Sequence, residues 1–306
     1  MRRLPAYSLV GLLTMLLSEV LMLLHVEPFW SWHTPIAWTG YILFVDGIVL
    51  VRRGTSWLTS ARREFMFLAV LSIPLWLVFE FYNLFIRNWH YINLPESQFW
   101  RNVGYGWSFA TIWPAIFETS ELVATFRTTS KDQASRYTDR PESDGATAPG
   151  RRLSWLGWAS IVAGAIMLAW PLLLPSPYLA APVWLGFIFL LDPLNAWRHA
   201  EAVGTRWISQ RSSEVPAVNF DSARRVKDRL INLGVGGLVC GVVWEFWNYW
   251  ARTKWIYTVP ILPEWKIFEM PVPGYLGFAA FAVECFTMYV AVRHWFWWGS
   301  KRPIGL

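Results

Sequence analysis

Apolar runs long enough to cross a membrane dominate this chain. About 20 apolar residues span the roughly 30 Å hydrocarbon core of a bilayer, and 55% of the 306 residues are hydrophobic whereas only 16% are charged. Because a helix satisfies its own backbone hydrogen bonds in lipid, we predict an all-α polytopic membrane helix bundle. Eight runs are predicted as transmembrane helices, at residues 6–25, 34–51, 65–86, 107–126, 153–174, 178–197, 230–250 and 274–296.

The positions of arginine and lysine predict the orientation. Five of the 27 basic residues fall on one side of an eight-span arrangement, which leaves 22 on the other side. The positive-inside rule then places both termini in the cytoplasm. A nucleic-acid partner is not expected, because that would need a basic face on a folded soluble domain. The five exceptions are Arg87, Arg101, Arg252, Lys254 and Lys266.

The two halves of the chain resemble each other. Trp38–Asp46 aligns without gaps with Trp184–Asp192, and Glu80-Phe-Tyr-Asn83 corresponds to Glu245-Phe-Trp-Asn248. Each half holds four predicted spans, so the two halves have the same orientation and form a parallel repeat. The predicted units are the first four-helix repeat at residues 1–126, a cytoplasmic linker at 127–152 and the second repeat at 153–306.

Each half carries acidic and amide side chains inside its predicted spans. A charge there costs about 2.5 to 3.5 kcal/mol on insertion scales, and such residues often mark a functional site. Asn83 follows Glu80 by three residues on one helical face, so its amide is expected to donate to that carboxylate, and Asn248 stands likewise to Glu245. The candidate buried polar residues are Asp46, Glu80, Asn83, Glu118, Asp192, Glu245, Asn248 and Glu284.

Two interpretations of these buried groups stay open. In one, the acids relay protons or bind a polar substrate. In the other, each acid accepts hydrogen bonds from neighbouring side chains and ties helices together. Cys240 and Cys285 both lie in predicted spans and are interpreted as small packing residues. The sequence has no metal-site spacing of histidines, so we predict no metal, no catalytic residue and no particular cofactor.

Tryptophan is unusually frequent, with 23 residues. Many lie near the ends of predicted spans, which is typical of the aromatic belt at a membrane interface. Trp89, Tyr91, Trp255 and Tyr257 are predicted as interfacial aromatic residues in the loops opposite the termini. Stiff aromatic loops of this kind favour binding of lipids, quinones, pigments or a neighbouring subunit.

A longer signature occupies the second half. It reads Trp244-Glu-Phe-Trp-Asn248, then Lys254-Trp-Ile-Tyr-Thr-Val-Pro260, then Phe268-Glu-Met-Pro271. This run resembles a signature of bacterial multi-pass membrane proteins of unassigned function, and the first half echoes it in part. The resemblance implies a bacterial inner (cytoplasmic) membrane location and carries no activity or site with it.

Three functional hypotheses follow. The first is a non-catalytic accessory or scaffold subunit of a larger membrane complex, possible hosts being energy-converting or photosynthetic ones, which binds lipid, quinone or pigment and contacts other subunits or a second copy. The second is a secondary transporter or proton-coupled carrier, in which Glu80, Glu118, Glu245 and Glu284 would line one cavity between the repeats. The third is an intramembrane enzyme acting on a lipid or isoprenoid.

Overall fold

Eight long helices make up most of the part of the chain that the structure describes. The computed structural model describes residues 3–127, 152–198, 202–204, 208–209 and 220–296, so most of the predicted linker lies outside the described residues. The prediction of a mainly helical protein is confirmed, and several of the helices are long and apolar enough to cross a membrane. The helices are α1 (Ala6–Leu23), α2 (Phe29–Arg53), α3 (Arg62–Ile86), α4 (Gln98–Arg127), α5 (Trp155–Leu173), α6 (Ala180–Trp197), α7 (Phe220–Trp250) and α8 (Tyr275–Phe296).

Within the described residues, seven of these helices are long and apolar enough to cross a membrane, and α4 is the exception. Its middle explains the difference, because residues 111–121 are buried without interruption. A helix that is enclosed by protein does not need an apolar surface, so it tolerates the acidic side chains of Glu118 and Glu121. Helix α4 packs against α2, α3 and α7.

Each half of the sequence begins with a pair of closely packed helices. A Cβ atom added to Gly40 in α2 would lie 2.6 Å from the carbonyl oxygen of Gly11 in α1. A Cβ atom added to Gly164 in α5 would meet the backbone of Leu190 in α6 and would lie 2.8 Å from the carbonyl oxygen of Gly186. Small residues allow this approach, which supplies van der Waals contact where lipid removes the hydrophobic driving force.

Short strands follow the helices that carry the two Glu-to-Asn segments. Strand β1 (Trp89–Ile92) follows α3, and strand β4 (Lys254–Tyr257) follows α7. They pair antiparallel, with Trp89 opposite Tyr257 and Tyr91 opposite Trp255. We call this two-stranded ladder the cap sheet and its end of the bundle the cap end. Two shorter ladders are formed by β2 (Arg152–Leu153) with β3 (Ile208–Ser209) and by β5 (Lys266–Ile267) with β6 (Met270–Pro271).

Hydrogen bonds join the loops at the cap end. The Thr258 amide donates to the Asn88 carbonyl at 2.8 Å, and the Asn88 side chain donates to the Pro177 carbonyl at 2.9 Å. Arg252 forms an ion pair with Glu27 at 3.0 Å. These bonds hold segments from both halves of the sequence together above the helices.

The two halves also contact each other inside the bundle. The indole of Trp113 in α4 donates to the backbone carbonyl of Cys285 in α8 at 3.0 Å, and the Tyr289 hydroxyl in α8 donates to Glu64 in α3 at 2.6 Å. Cys240 and Cys285 are free and buried, in agreement with the packing role predicted for them. Nearly all the large buried side chains belong to one continuous core.

Candidate functional site

A cavity of about 450 Å³ lies beneath the cap sheet. Ligand sites of this size hold a drug-sized molecule. Its wall combines residues from α2, α3, α4, α6, α7 and α8 with residues of the cap sheet, so both halves of the sequence contribute. The aromatic residues of the wall include Trp38, Trp76, Trp89, Tyr91, Tyr105, Phe109, Trp184, Trp244, Trp255, Tyr257 and Phe281.

Trp76 in α3 is the centre of this aromatic wall. Its ring lies 5.8 Å from Phe281, 6.0 Å from Trp89, 6.2 Å from Trp244 and 6.4 Å from Trp184, measured between ring centroids. These separations are within the range of favourable aromatic pairs. Through one side chain, these contacts join α3 of the first half to three helices of the second half and to a strand of the cap sheet.

The carboxylate of Glu80 lies behind this wall. It accepts hydrogen bonds from the Trp76 indole at 2.8 Å, the Trp89 indole at 3.2 Å and the Tyr91 hydroxyl at 2.5 Å. All three donors belong to residues that line the cavity, whereas Glu80 itself does not line it. The acid therefore orients the aromatic wall from outside.

Glu245 occupies the matching position in the second half. It is fully buried and accepts a hydrogen bond from the Tyr257 hydroxyl at 2.9 Å. Its second carboxyl oxygen has no hydrogen-bond partner among the described residues. The two acids thus hold the two strands of the cap sheet through a tyrosine each, and Glu80 holds two indoles as well.

The prediction that Asn83 and Asn248 donate to the neighbouring glutamates is wrong. Asn83 donates to the Trp89 carbonyl and accepts from the Asn88 amide, at 2.8 and 2.9 Å. Asn248 donates to the Trp255 carbonyl and accepts from the Trp255 amide, at 2.8 and 2.9 Å. Each amide side chain binds the chain that turns back after its helix, because backbone groups there lack helical partners.

Both tyrosines of the cap sheet remain protonated. Burial raises the pKa of Tyr91 well above its usual value, and the nearby Glu80 carboxylate raises it further. Burial and Glu245 have the same effect on the pKa of Tyr257. Their hydroxyl groups are therefore available as hydrogen-bond donors throughout the physiological pH range.

Two basic side chains, Arg101 and Lys254, line the cavity, and no acidic residue is among the described residues that do so. Arg101 donates twice to the Pro95 carbonyl, at 3.0 and 3.2 Å. Lys254 forms an ion pair with Glu269 at 2.7 Å. The wall therefore carries positive charge at Arg101 and a locally balanced pair at Lys254.

Four buried neutral polar atoms of the wall have no hydrogen-bond partner among the described residues. They are the Thr34 hydroxyl, the Trp38 and Trp255 indole nitrogens and the Asn88 amide oxygen. Thr34 and Trp38 are one helical turn apart on α2, so they share a face. Both residues line the cavity and add hydrogen-bonding capacity to an otherwise apolar wall.

The remaining predicted acids lie outside the cavity. Asp46 accepts from the Tyr7 hydroxyl at 2.6 Å, the Ser56 hydroxyl at 2.8 Å and the Leu58 amide at 2.9 Å. Glu118 is fully buried, and neither of its carboxyl oxygens has a hydrogen-bond partner among the described residues.

In the second half, Asp192 and Glu284 accept hydrogen bonds from backbone amides. Asp192 accepts from the Val203 and Gly204 amides, each at 2.8 Å, and thereby holds the loop after α6 as Asp46 holds the loop after α2. Glu284 accepts from the Phe187 amide at 3.1 Å. Its other oxygen has no hydrogen-bond partner among the residues that the structure describes.

The predicted residues at the cap end thus divide into two groups. Trp89, Tyr91, Trp255 and Tyr257 line the cavity, and Glu80, Glu245, Asn83 and Asn248 hold them from behind. The sequence interpretation missed Trp38, Trp76, Trp184 and Trp244 as wall residues. The available signal was their place inside apolar runs, away from the span ends where an aromatic belt is expected.

No group of three or more histidine, cysteine, aspartate or glutamate side chains that could hold a metal occurs in the described part of the chain. Comparison with protein-family models, curated proteins and solved structures gave no match. The function proposed below therefore rests on the geometry of the cavity.

Proposed function

We propose that this protein is a non-catalytic integral membrane protein that binds a largely apolar molecule, a lipid, quinone or pigment, in the aromatic cavity beneath the cap sheet. In this role it serves as an accessory or scaffold subunit of a larger membrane complex or of a homo-oligomer. The observation that carries the proposal is the wall itself, since mostly apolar pockets with a few polar groups are the usual form of a small-molecule site.

The proposed arrangement has eight membrane crossings in a bacterial inner membrane, with both termini in the cytoplasm. Helix α4 has 30 residues, a length of about 45 Å, which exceeds the thickness of the hydrocarbon core. Its polar residues are accommodated because the neighbouring helices enclose it. The cap end then faces away from the cytoplasm.

The proposed parallel repeat is supported by matched contacts. In each half a glutamate binds a tyrosine of the following strand, and an asparagine three residues later binds the backbone of that strand. In each half an aspartate also accepts a backbone amide 11 or 12 residues further along the chain. The correspondence predicted from the alignment thus has counterparts in specific hydrogen bonds.

The carrier hypothesis receives less support from this geometry. It required Glu80, Glu118, Glu245 and Glu284 on the wall of one cavity, and none of the four is among the residues that line the cavity described here. The accessory hypothesis in turn expected every acid to be satisfied within its own half, whereas Glu118 has no donor among the described residues.

Extraction of the purified protein tests the proposal. The full chain, solubilised in a mild detergent, is expected to retain an apolar molecule that organic extraction and mass spectrometry identify. Trp76→Ala is expected to lose it, because the ring at the centre of the wall is removed. Trp158→Ala is the matched control, since Trp158 lies on α5 with 59% of its surface exposed.

Thermal unfolding of both variants separates loss of binding from loss of fold. Equal retention of the molecule by the Trp76 and Trp158 variants, with both folded, would contradict the proposal. So would a wild-type protein that carries no apolar molecule and takes up none from added lipid, quinone or pigment.

A further inference from the structure

We propose that the ligand of this cavity is an amphiphile with one anionic head and an apolar tail, held at its head by Arg101, and that it enters sideways from the bilayer between the first turns of α4 and α8. This inference rests on the proposed function and adds the charge of the ligand and its route. Three features of the described residues support it.

The first feature is the charge on the wall. The acids nearest the cavity are already engaged by wall residues: Glu80 by Trp76, Trp89 and Tyr91, Glu245 by Tyr257, and Glu269 by Lys254. Arg101, by contrast, forms no ion pair among the described residues, and its guanidinium donates there to a single carbonyl, that of Pro95. A guanidinium has five N–H donors, so Arg101 retains capacity for an anion.

The second feature is an excess of hydrogen-bond donors. Besides the guanidinium of Arg101, the wall presents the Trp38 and Trp255 indoles and the Thr34 hydroxyl without partners among the described residues, against one unpartnered acceptor, the Asn88 amide oxygen. An indole only donates, and a guanidinium only donates. A phosphate or carboxylate, which only accepts when ionised, complements such a wall, whereas a cationic head would face like charge.

The third feature is an opening toward the membrane. Trp100 at the start of α4 and Leu276 at the start of α8 line the cavity and are also 53% and 74% exposed. Gly104 and Gly277, one turn or less further on, have no atom within 4 Å of an added Cβ. All four residues line the same cavity, so open space adjoins the first turns of both helices.

Deeper in the bundle, α4 and α8 are in contact. The Trp113 indole donates to the Cys285 carbonyl at 3.0 Å, and the Phe117 and Tyr289 rings lie 5.4 Å apart. The gap is thus confined to the cap end, where an apolar tail can pass between Trp100 and Leu276 while the head stays near Arg101 at the membrane surface.

Paired probes test the proposal on the full-length protein in detergent. Farnesyl phosphate and farnesol share one tail and differ in charge, and inorganic phosphate supplies the head alone. We expect farnesyl phosphate to bind about tenfold more tightly than farnesol, the effect of one charge-assisted hydrogen bond, and inorganic phosphate to bind too weakly to measure. Quenching of tryptophan fluorescence reports binding.

Two arginine variants locate the head. Arg101→Gln is expected to lower the affinity for farnesyl phosphate about tenfold and to leave farnesol unchanged, and Arg101→Lys is expected to restore part of the difference. Arg87→Gln, a cap-end arginine that does not line the cavity, is the matched control and is expected to change neither affinity.

A separate pair of variants tests the lateral route of entry. Gly104→Leu fills open space in the gap, so we expect it to slow association of both probes severalfold, whereas Gly104→Ala leaves the rate near that of the wild type. Equal association rates for the leucine and alanine variants would overturn the lateral route.

The outcomes separate this inference from the proposed function. Equal affinity for farnesol and farnesyl phosphate would overturn the anionic head and leave apolar binding intact. Tight binding of inorganic phosphate would replace the amphiphile with a simple anion. If neither probe binds and extraction finds no apolar molecule, the proposed function fails as well.

Discussion

At the scale of single residues, two glutamates at matching positions have unequal hydrogen-bond partners. Glu80 accepts from two indoles and one tyrosine, whereas Glu245 accepts from Tyr257 and keeps one oxygen without a partner among the described residues. Loss of one donor is therefore expected to cost more at Glu245 than at Glu80, because a buried acceptor left unsatisfied carries its full desolvation penalty.

We predict that Tyr257→Phe lowers the free energy of unfolding by about 1 to 3 kcal/mol, since Glu245 loses the hydroxyl that donates to it. Tyr91→Phe, the matched change in the first half, is expected to cost less, because Trp76 and Trp89 still donate to Glu80. Thermal unfolding in detergent measures both. A larger loss for Tyr91→Phe would contradict the prediction.

A second residue-scale prediction concerns pH. Burial opposes ionisation of Glu27, but hydrogen bonds from Ser31 and Arg252 outweigh it and hold the pKa of Glu27 below its ordinary value of 4.5. A lowered pKa in the folded state stabilises the protein above pH 4.5, and this contribution disappears as the pH falls through the folded value.

We therefore expect Glu27→Gln to be less stable than the wild type at pH 7 and the difference to shrink as the pH falls below 4.5. The difference should stay under about 1 kcal/mol, because the pair is solvent-exposed. Unfolding temperatures from pH 7 to pH 3 measure it, with Glu264→Gln at another exposed cap-end position as the control. A difference that grows toward acid would contradict the assignment.

At the scale of helices and strands, glycines divide into those in tight contact and those beside open space. Gly40→Ala is expected to lower stability by about 1 to 3 kcal/mol through overpacking, because its Cβ would collide with the Gly11 carbonyl. Gly277→Ala meets nothing and is expected to raise stability by up to about 1 kcal/mol through helix propensity. Thermal unfolding distinguishes the two, and equal effects would contradict the packing described.

Among helices and strands, the sequence predicted the long helices but not the cap sheet. Long apolar runs predicted eight membrane-length helices, and seven described helices are long and apolar enough to cross a membrane. The cap sheet was not predicted, since its paired residues lie 162 to 168 positions apart in the sequence and pairing over such a separation leaves no local signal. The partners of Asn83 and Asn248 were misassigned for a different reason, because their acceptors lie six and seven residues further on, beyond the helix end, where helical spacing no longer applies.

At the scale of the whole molecule, the cap sheet covers the cavity and connects the two halves of the sequence. His90 faces Ile256 across it. Opposed residues of an antiparallel pair have Cα atoms about 4.5 to 5.5 Å apart, within the range for a disulfide. The variant His90→Cys/Ile256→Cys is therefore expected to form an intramolecular disulfide under mild oxidation.

Peptide mapping by mass spectrometry without reductant detects that bond, and His90→Cys alone is the control for reaction with the buried native cysteines. We expect the crosslinked protein to unfold at a higher temperature, since the bond restricts the unfolded chain. Failure to crosslink would contradict the strand pairing and, with it, the covering of the cavity.

The pairing of one strand from each half has a consequence for how sequences of this kind diverge. Trp89 packs opposite Tyr257, and Tyr91 packs opposite Trp255, so a change of side-chain size in one strand alters the surroundings of the other. Related chains should then show correlated substitutions between these positions, so that the two strands change together.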